Sequence, residues 1–236
     1  AAGMGIGAAV ARKAVEEGAT VVVSDVHERR LAESAEALAE ISGVRPLSRV
    51  CDVRDEDQVT GLLDAAVAEH GRIDVLVNNA GLGGDTRLVD MADEEWDRVL
   101  GISLTGTMRC TRAAMRIMGG QGHGVIVNNS SVLGWRAQIG QSHYAAAKAG
   151  VMALTRCAAM EGVDLGVRVN CVAPSLATHP FLAKTSSEEL LAELASREAF
   201  GRGAEPWEVA NVVVFLASDY SSYLTGEVVS VSSQRA

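Results

Sequence analysis

The chain has 236 residues, enough for one α/β domain with a sizeable core. Aspartate and glutamate (30) outnumber lysine and arginine (21), and the net charge of −9 argues against nonspecific nucleic-acid binding, which needs a basic surface. Hydrophobic residues make up 48% and aromatic ones only 4%, a composition that suits closely packed helices on a β-branched sheet better than a β-sandwich.

No apolar run approaches the roughly 18 residues of a membrane span, and no signal peptide is expected from residues 1–7. Cys51, Cys110, Cys157 and Cys171 show neither CxxC spacing nor a nearby histidine cluster. Neither a metal site nor a redox pair is therefore suggested, and a reducing cytoplasm is the expected location.

Gly3, Gly5 and Gly7 open a helix expected to run to about Glu17, with Gly18 as its stop. Glycines at a helix start let backbone N–H groups approach a pyrophosphate at the positive end of the helix dipole. The same pattern also arises for purely steric reasons. Such a turn ordinarily follows a strand, so we expect a central strand of about 5–6 residues to be lacking ahead of Ala1.

Residues 20–24 (TVVVS) read as a strand, and Asp25 follows it, 18 residues after Gly7. A carboxylate there can accept hydrogen bonds from an adenosine ribose. It also repels a 2′-phosphate, so NAD is expected over NADP. The alternative is that Asp25 caps the next helix, and His27, Arg29 and Arg30 can soften the cofactor preference. A helix at 27–40, a strand at 47–50 and a helix at 55–70 with Asp55 as N-cap follow. Cys51-Asp52-Val53 ends the 47–50 strand, where an aspartate can meet the adenine amino group.

A strand at 75–77 leads into Asn78-Asn79-Ala80-Gly81, small enough to let the backbone approach a cofactor. Residues 93–118 read as largely helical, 125–128 as strand, and 144–161 as helix. Within the last, Tyr144 and Lys148 lie on one face, and Ser131 stands 13 positions before Tyr144. A free tyrosine titrates near pH 10; an adjacent ammonium favours the phenolate and lowers that pKa. A serine hydroxyl aimed at the same point can hold a carbonyl or alcohol oxygen. Alone, a Tyr-x-x-x-Lys pair is ordinary helix decoration, and two serines can simply end a strand. A strand at 168–172, a helix at 186–197 capped by Ser186 or Ser187, a helix at 206–217 with Pro206 in its first turn, and a strand at 228–231 complete the chain.

Short strands apolar on consecutive positions, alternating with helices, indicate a parallel sheet covered on both faces. Without repeats or linkers, residues 1–236 are expected to form a single doubly wound α/β (Rossmann) domain.

Gly5-Ile6-Gly7, Asp25, Asp52, Asn78-Asn79-Ala80-Gly81, Ser131, Tyr144-x-x-x-Lys148, Arg168-Val-Asn170 with Pro174, and the closing Phe215-Leu-Ala-Ser-Asp with Leu224-Thr-Gly226 occur in the order of one family. The chain resembles a short-chain dehydrogenase/reductase over essentially its whole length. That resemblance implies Tyr144 as acid/base and Ser131 as the group orienting the reacting oxygen. It implies that Lys148 binds the nicotinamide ribose and lowers the tyrosine pKa. Cofactor contacts are implied at Gly3, Gly5, Ile6, Gly7, Asp25, Asp52, Val53, Asn79, Ala80, Gly81, Tyr144, Lys148, Pro174 and either Thr178 or His179. A homotetramer or dimer is implied by analogy.

Several positions depart from the family pattern. Ala1 stands at its first glycine, Ser103 at an asparagine that serves the proton relay, Pro174-Ser175 at Pro-Gly, and Val231-Ser-Ser-Gln at the usual ending. The stretches from Ser131 and Pro174 and the ending are similar to actinobacterial reductases of steroid catabolism, which implies a bicyclic hydroxy- or keto-indane acyl-CoA substrate. A lid is expected near 176–202, whose Phe181, Leu182, Leu190 and Leu194 cover a ring system or pack on the body. Trp135, Gln138 and His143 are expected to shape specificity, His143 alternatively only starting its helix. Competing readings are a 3-oxoacyl-thioester reductase using NADPH and a catalytically silent dinucleotide sensor; intact Ser131, Tyr144 and Lys148 oppose the second.

Overall fold

All strand pairs among the described residues are parallel. The structure is a computed structural model that describes residues 2–178 and 188–233. The strands are β1 (Val22–Asp25), β2 (Leu47–Val50), β3 (Val75–Asn78), β4 (Gly124–Asn129), β5 (Val167–Pro174) and β6 (Val228–Val231). Between them run α1 (Gly5–Glu16), α2 (Glu28–Ser42), α3 (Glu56–His70), α4 (Asp93–Leu100), α5 (Gly106–Gln121), α6 (Ser142–Gly162), α7 (Glu188–Arg197) and α8 (Pro206–Ala217). No helix among the described residues is long and apolar enough to cross a membrane.

Strand periodicity explains the layering, because neighbouring side chains point to opposite faces. In β4, Val125 and Val127 pack with Val172 of β5 against Val10 of α1 and Val209, Val213 and Leu216 of α8. The intervening Ile126 turns to the other face with Val169, meeting Leu63 of α3, Met118 of α5 and Ala158 of α6. This doubly covered sheet is the α/β architecture expected from the consecutive apolar positions.

The strands divide into two groups, β1–β2 and β3–β4–β5–β6. Alongside β1, the Ala2 N–H donates to the Ser24 carbonyl (2.9 Å).

Asp25 does not cap α2, whose N-cap is His27, although its Oδ1 accepts from the His27 N–H (2.9 Å). Asp55 caps α3 by accepting from the N–H groups of Asp57 and Gln58. The expected helix over 93–118 is interrupted by a π-helical turn, Gly101–Thr105, between α4 and α5. The proposed Ser186 or Ser187 cap lies outside the described residues.

A line of buried amides holds the strand ends beneath the site. The fully buried Asn128 accepts from Asn78 Nδ2 (2.9 Å) and donates to Thr155 Oγ1 of α6 (2.9 Å). Asn78 also donates to Thr111 Oγ1 of α5 (3.0 Å). Removing one member strands buried polar groups, at about 1–3 kcal/mol each. Asn128→Leu is therefore expected to lower the melting temperature by roughly 5–10 °C. A thermal scan with a drop under about 2 °C would show that the amide line bears little of the fold.

Candidate active site

Register brings the carboxyl ends of three strands together. Asn78 pairs with Asn128, Asn128 with Cys171, and Asn129 with Val172. Ligand sites of doubly wound sheets lie outside such strand ends. Just beyond β4, Ser131 caps a short 3₁₀ turn, its Oγ accepting from the Leu133 N–H (3.2 Å). The Ser131 hydroxyl is also hydrogen-bonded to the Tyr144 phenol. One turn along α6, the buried Lys148 lies with its Nζ 5.5 Å from the centre of the Tyr144 ring, donating to the Asn129 carbonyl (2.7 Å). Ser130 fastens the same turn by donating to the Lys148 carbonyl (2.7 Å). Ser131, Tyr144 and Lys148 are thus one cluster.

Its electrostatics differ from the expectation that lysine lowers the tyrosine pKa. Burial raises the Tyr144 phenol, and the hydrogen bond from Ser131 pulls it back only in part. Burial also lowers the Lys148 ammonium to about 8. In the protein alone both groups are pushed toward their neutral forms, because desolvation penalises each charge. The neighbouring Cys171 thiol is raised to about 11, chiefly by burial.

The departure at Ser103 has a definite geometry. This fully buried side chain sits in the π-helical turn, and its Oγ accepts from the Leu82 N–H (3.0 Å) and donates to the Leu82 carbonyl (3.1 Å). It ties down the loop after β3 rather than reaching Lys148 directly. Its own carbonyl accepts from Thr107 Oγ1 (3.0 Å).

The cofactor-side residues form a cradle with little room for side chains. A Cβ on Gly3 would lie 2.8 Å from Asp25 Oδ2, and one on Gly81 would lie 3.2 Å from Lys148 Nζ. Asp25 is buried and its Oδ2 accepts from the Gly3 N–H (3.1 Å), tying the glycine turn to the end of β1. Gly5 adopts a left-handed φ of 60° at the start of α1, while Ile6 and Ala9 pack into the core beside Gly7. Asn79 Oδ1 accepts from Asn129 Nδ2 (2.8 Å), which leaves the buried Asn129 Oδ1 without a protein partner. Ala80 is half-buried and Pro174 buried at the end of β5. These close approaches and the orphaned amide oxygen fit a ligand that meets backbone at the strand ends.

Other expected residues are placed less directly. Asp52 grips the Arg54 guanidinium with both oxygens, which holds its carboxyl below the usual range, and Val53 packs where a Cβ on Gly106 would sit, 2.5 Å from its Cγ2. Trp135 is half exposed and Gln138 half-buried, both in the segment between Ser131 and Tyr144. Thr178 is exposed and its N–H donates to the Ala204 carbonyl (2.9 Å). His143 is fully buried and faces Glu95 rather than solvent. His179 and Phe181 lie outside the described residues. The contributions of Glu95, Thr86 and Asn128 were missed by sequence reasoning; the Gly83-Gly84 pair after Gly81 was the available signal that another chain segment passes close by.

Residues 1–233 match a family model described as enoyl-(acyl carrier protein) reductase. The chain belongs to the short-chain dehydrogenase/reductase family, oxidoreductases that bind a nicotinamide dinucleotide and act on CH–OH groups. It is 64% identical over 235 residues (99% of this chain, 90% of the relative) to (5R,7aS)-5-hydroxy-7a-methyl-1-oxo-2,3,5,6,7,7a-hexahydro-1H-indene-carboxyl-CoA reductase of Mycobacterium tuberculosis. It is 45% identical to cis-4-hydroxycyclohexanecarboxylate dehydrogenase of Sinomonas cyclohexanicum, covering 98% of this chain and 92% of that one. Among solved structures, NAD+-bound xylitol dehydrogenase superposes with a TM-score of 0.92 at 31% identity, covering 98% of this chain and 95% of the other.

Proposed function

We propose that the protein is an NAD(H)-dependent oxidoreductase that interconverts a secondary alcohol and a ketone on a bicyclic acyl-CoA intermediate of steroid breakdown. The observation that carries the chemistry is the Ser131–Tyr144 hydrogen bond beside the buried Lys148. The substrate class rests on the relative from Mycobacterium tuberculosis, whose name gives a fused-ring CoA ester. Exposed Trp135 and Ile139, in the segment between Ser131 and Tyr144, would supply apolar surface for such rings.

In this reading Ser131 holds the substrate oxygen and Tyr144 takes its proton during oxidation or returns it during reduction. Lys148, charged below about pH 8, stands one turn along α6 from the phenol and would meet the nicotinamide ribose. Gly3, Gly5, Gly7, Asp25, Asn79, Ala80, Gly81 and Lys148 would hold the dinucleotide, with Asp52, Val53, Pro174 and Thr178 around it. When bound, the nicotinamide supplies the acceptor or donor of hydride. Asp25 favours NAD, since its carboxylate repels a 2′-phosphate.

The reading extends to the surroundings. The segment 176–202 serves as the lid, and its base is clasped: the Thr178 N–H meets the Ala204 carbonyl, and the Ala204 N–H meets the Leu176 carbonyl (2.7 Å). Work in the cytoplasm is supported by four free cysteines, and a homotetramer or dimer by family analogy.

Absorbance at 340 nm tests the function. A hydroxy-indane carboxyl-CoA ester is expected to reduce NAD+ with kcat/KM at least about tenfold above NADP+ and above 3-hydroxybutyryl-CoA. Preference for NADP+ with the open-chain thioester would overturn the reading.

A further inference from the structure

Beside the first turn of α6 stands a polar cluster that proton transfer itself does not require. Glu95 of α4 accepts from Thr86 Oγ1 with both carboxylate oxygens (2.8 and 2.9 Å). Its Oε1 lies 3.3 Å from Nε2 of the fully buried His143, the residue immediately before Tyr144. The loop after β3 is pressed into this cluster. A Cβ on Gly84 would lie 2.5 Å from His143 Nε2 and 2.8 Å from Glu95 Oε1, so only glycine passes there. Two more bonds close the arrangement: the Thr86 N–H donates to the Gly140 carbonyl (3.1 Å), and the Gln141 amide donates to the Gly84 carbonyl.

The same loop reaches the reacting group. A Cβ on Gly83 would touch the Tyr144 ring at 3.8 Å. The Glu95 carboxyl is held below its usual range, first by the Thr86 hydroxyl and further by His143, so it stays an ionised acceptor through the neutral range. The loop that touches the Tyr144 ring is therefore fastened to the first turn of α6 through the Glu95 carboxylate, which bonds Thr86 and His143, and to Gly140 and Gln141 by two direct bonds.

We propose that Glu95 is a positioning residue which, through Thr86 and His143, clamps the loop after β3 onto the start of α6 and so holds Tyr144 and the cleft width for rigid ring alcohols. This rests on the alcohol–ketone reading above. A rigid ring cannot follow a wall that moves, whereas an open-chain alcohol can, and misplacement by about 1 Å costs up to 10²-fold in rate. The imidazole touches the carboxylate through Nε2, and in the tautomer this bond selects, Nε2 carries the proton.

The test compares Glu95→Ala and Glu95→Gln with the wild type, using NAD+ and two probe alcohols, cis-4-hydroxycyclohexanecarboxylate and open-chain 4-hydroxypentanoate. In Glu95→Ala, kcat/KM for the ring alcohol is expected to fall about tenfold, and for the open-chain alcohol less than about threefold, with the KM for NAD+ unchanged. Glu95→Gln keeps an acceptor oxygen and should recover most of the loss. A second readout needs no turnover. Of the three tyrosines, Tyr220 and Tyr223 are 91% and 99% exposed, so the Tyr144 signal of carbon-13-labelled tyrosine is separable by NMR. It should move in Glu95→Ala and stay in Glu95→Gln. A folded Glu95→Ala protein with the wild-type ring-to-chain ratio or an unmoved Tyr144 signal overturns the clamp. If the wild type oxidises neither alcohol, the hydroxy-indane carboxyl-CoA assay decides the alcohol–ketone reading, and the Tyr144 signal still decides the clamp.

Discussion

Replacing Tyr144 by phenylalanine is expected to lower kcat by about 10³-fold or more while NAD+ affinity changes less than about threefold. The phenol is the group hydrogen-bonded to Ser131, and among the described residues no other acid or base is bonded to that serine's side chain. Phenylalanine keeps the ring, so the packing of the half-buried side chain against the loop after β3 survives. The Ser131 hydroxyl keeps the Leu133 N–H. Stability should therefore stay within about 1 kcal/mol of the wild type, and loss of rate cannot be assigned to loss of fold. Calorimetric titration with NAD+ alongside turnover separates binding from chemistry. A variant retaining more than about a tenth of wild-type turnover would remove Tyr144 from the acid/base role.

The second large effect concerns stability rather than rate. A buried lysine whose folded pKa is about 8 has been pushed below its unfolded value near 10.4. The folded protein then binds fewer protons at this site than the unfolded chain. Its contribution is a penalty, fully present below about pH 8 and relieved as pH rises toward the unfolded value. A displacement of that size is worth about 3 kcal/mol. Lys148→Met removes the charge, keeps a flexible apolar stem, and loses the bond to the Asn129 carbonyl, worth about 1 kcal/mol. The cofactor-free variant is thus expected to melt roughly 4–8 °C higher than the wild type at pH 7, with the advantage vanishing by about pH 10. Melting curves across that range check it. A variant less stable at pH 7, or a gap that ignores pH, would show that the ammonium is not strained by burial.

Much of this architecture was legible because it rests on local rules. The valine-rich runs of β1, β4 and β5 state their burial directly, and Asp55 and Pro206 mark helix starts by chemistry that acts within one turn. The order of Ser131, Tyr144 and Lys148 was equally readable, since the lysine and tyrosine share one helix. What escaped depends on distance in the chain. Glu95 is 48 residues from His143 and Asn78 is 50 from Asn128, and no periodicity announces either pair. The direction of the Tyr144 shift escaped for a related reason: the pattern names its charged neighbour but not how much water the fold removes. The π-helical turn was invisible because Ile102, Leu104 and their neighbours continue a helical pattern through it.

That turn has a consequence for how the chain can change. An α-helix advances about 100° per residue, so one residue gained or lost between α4 and α5 swings everything on one side relative to the other. Upstream, Glu95 meets His143; downstream, Thr111 meets Asn78. Both appointments are kept only at the present count between them, with the wider turn Gly101–Thr105 as the angular spacer. The number of residues there is therefore fixed, and a deletion in this segment would break either the Glu95 contact with His143 or the Thr111 bond to Asn78.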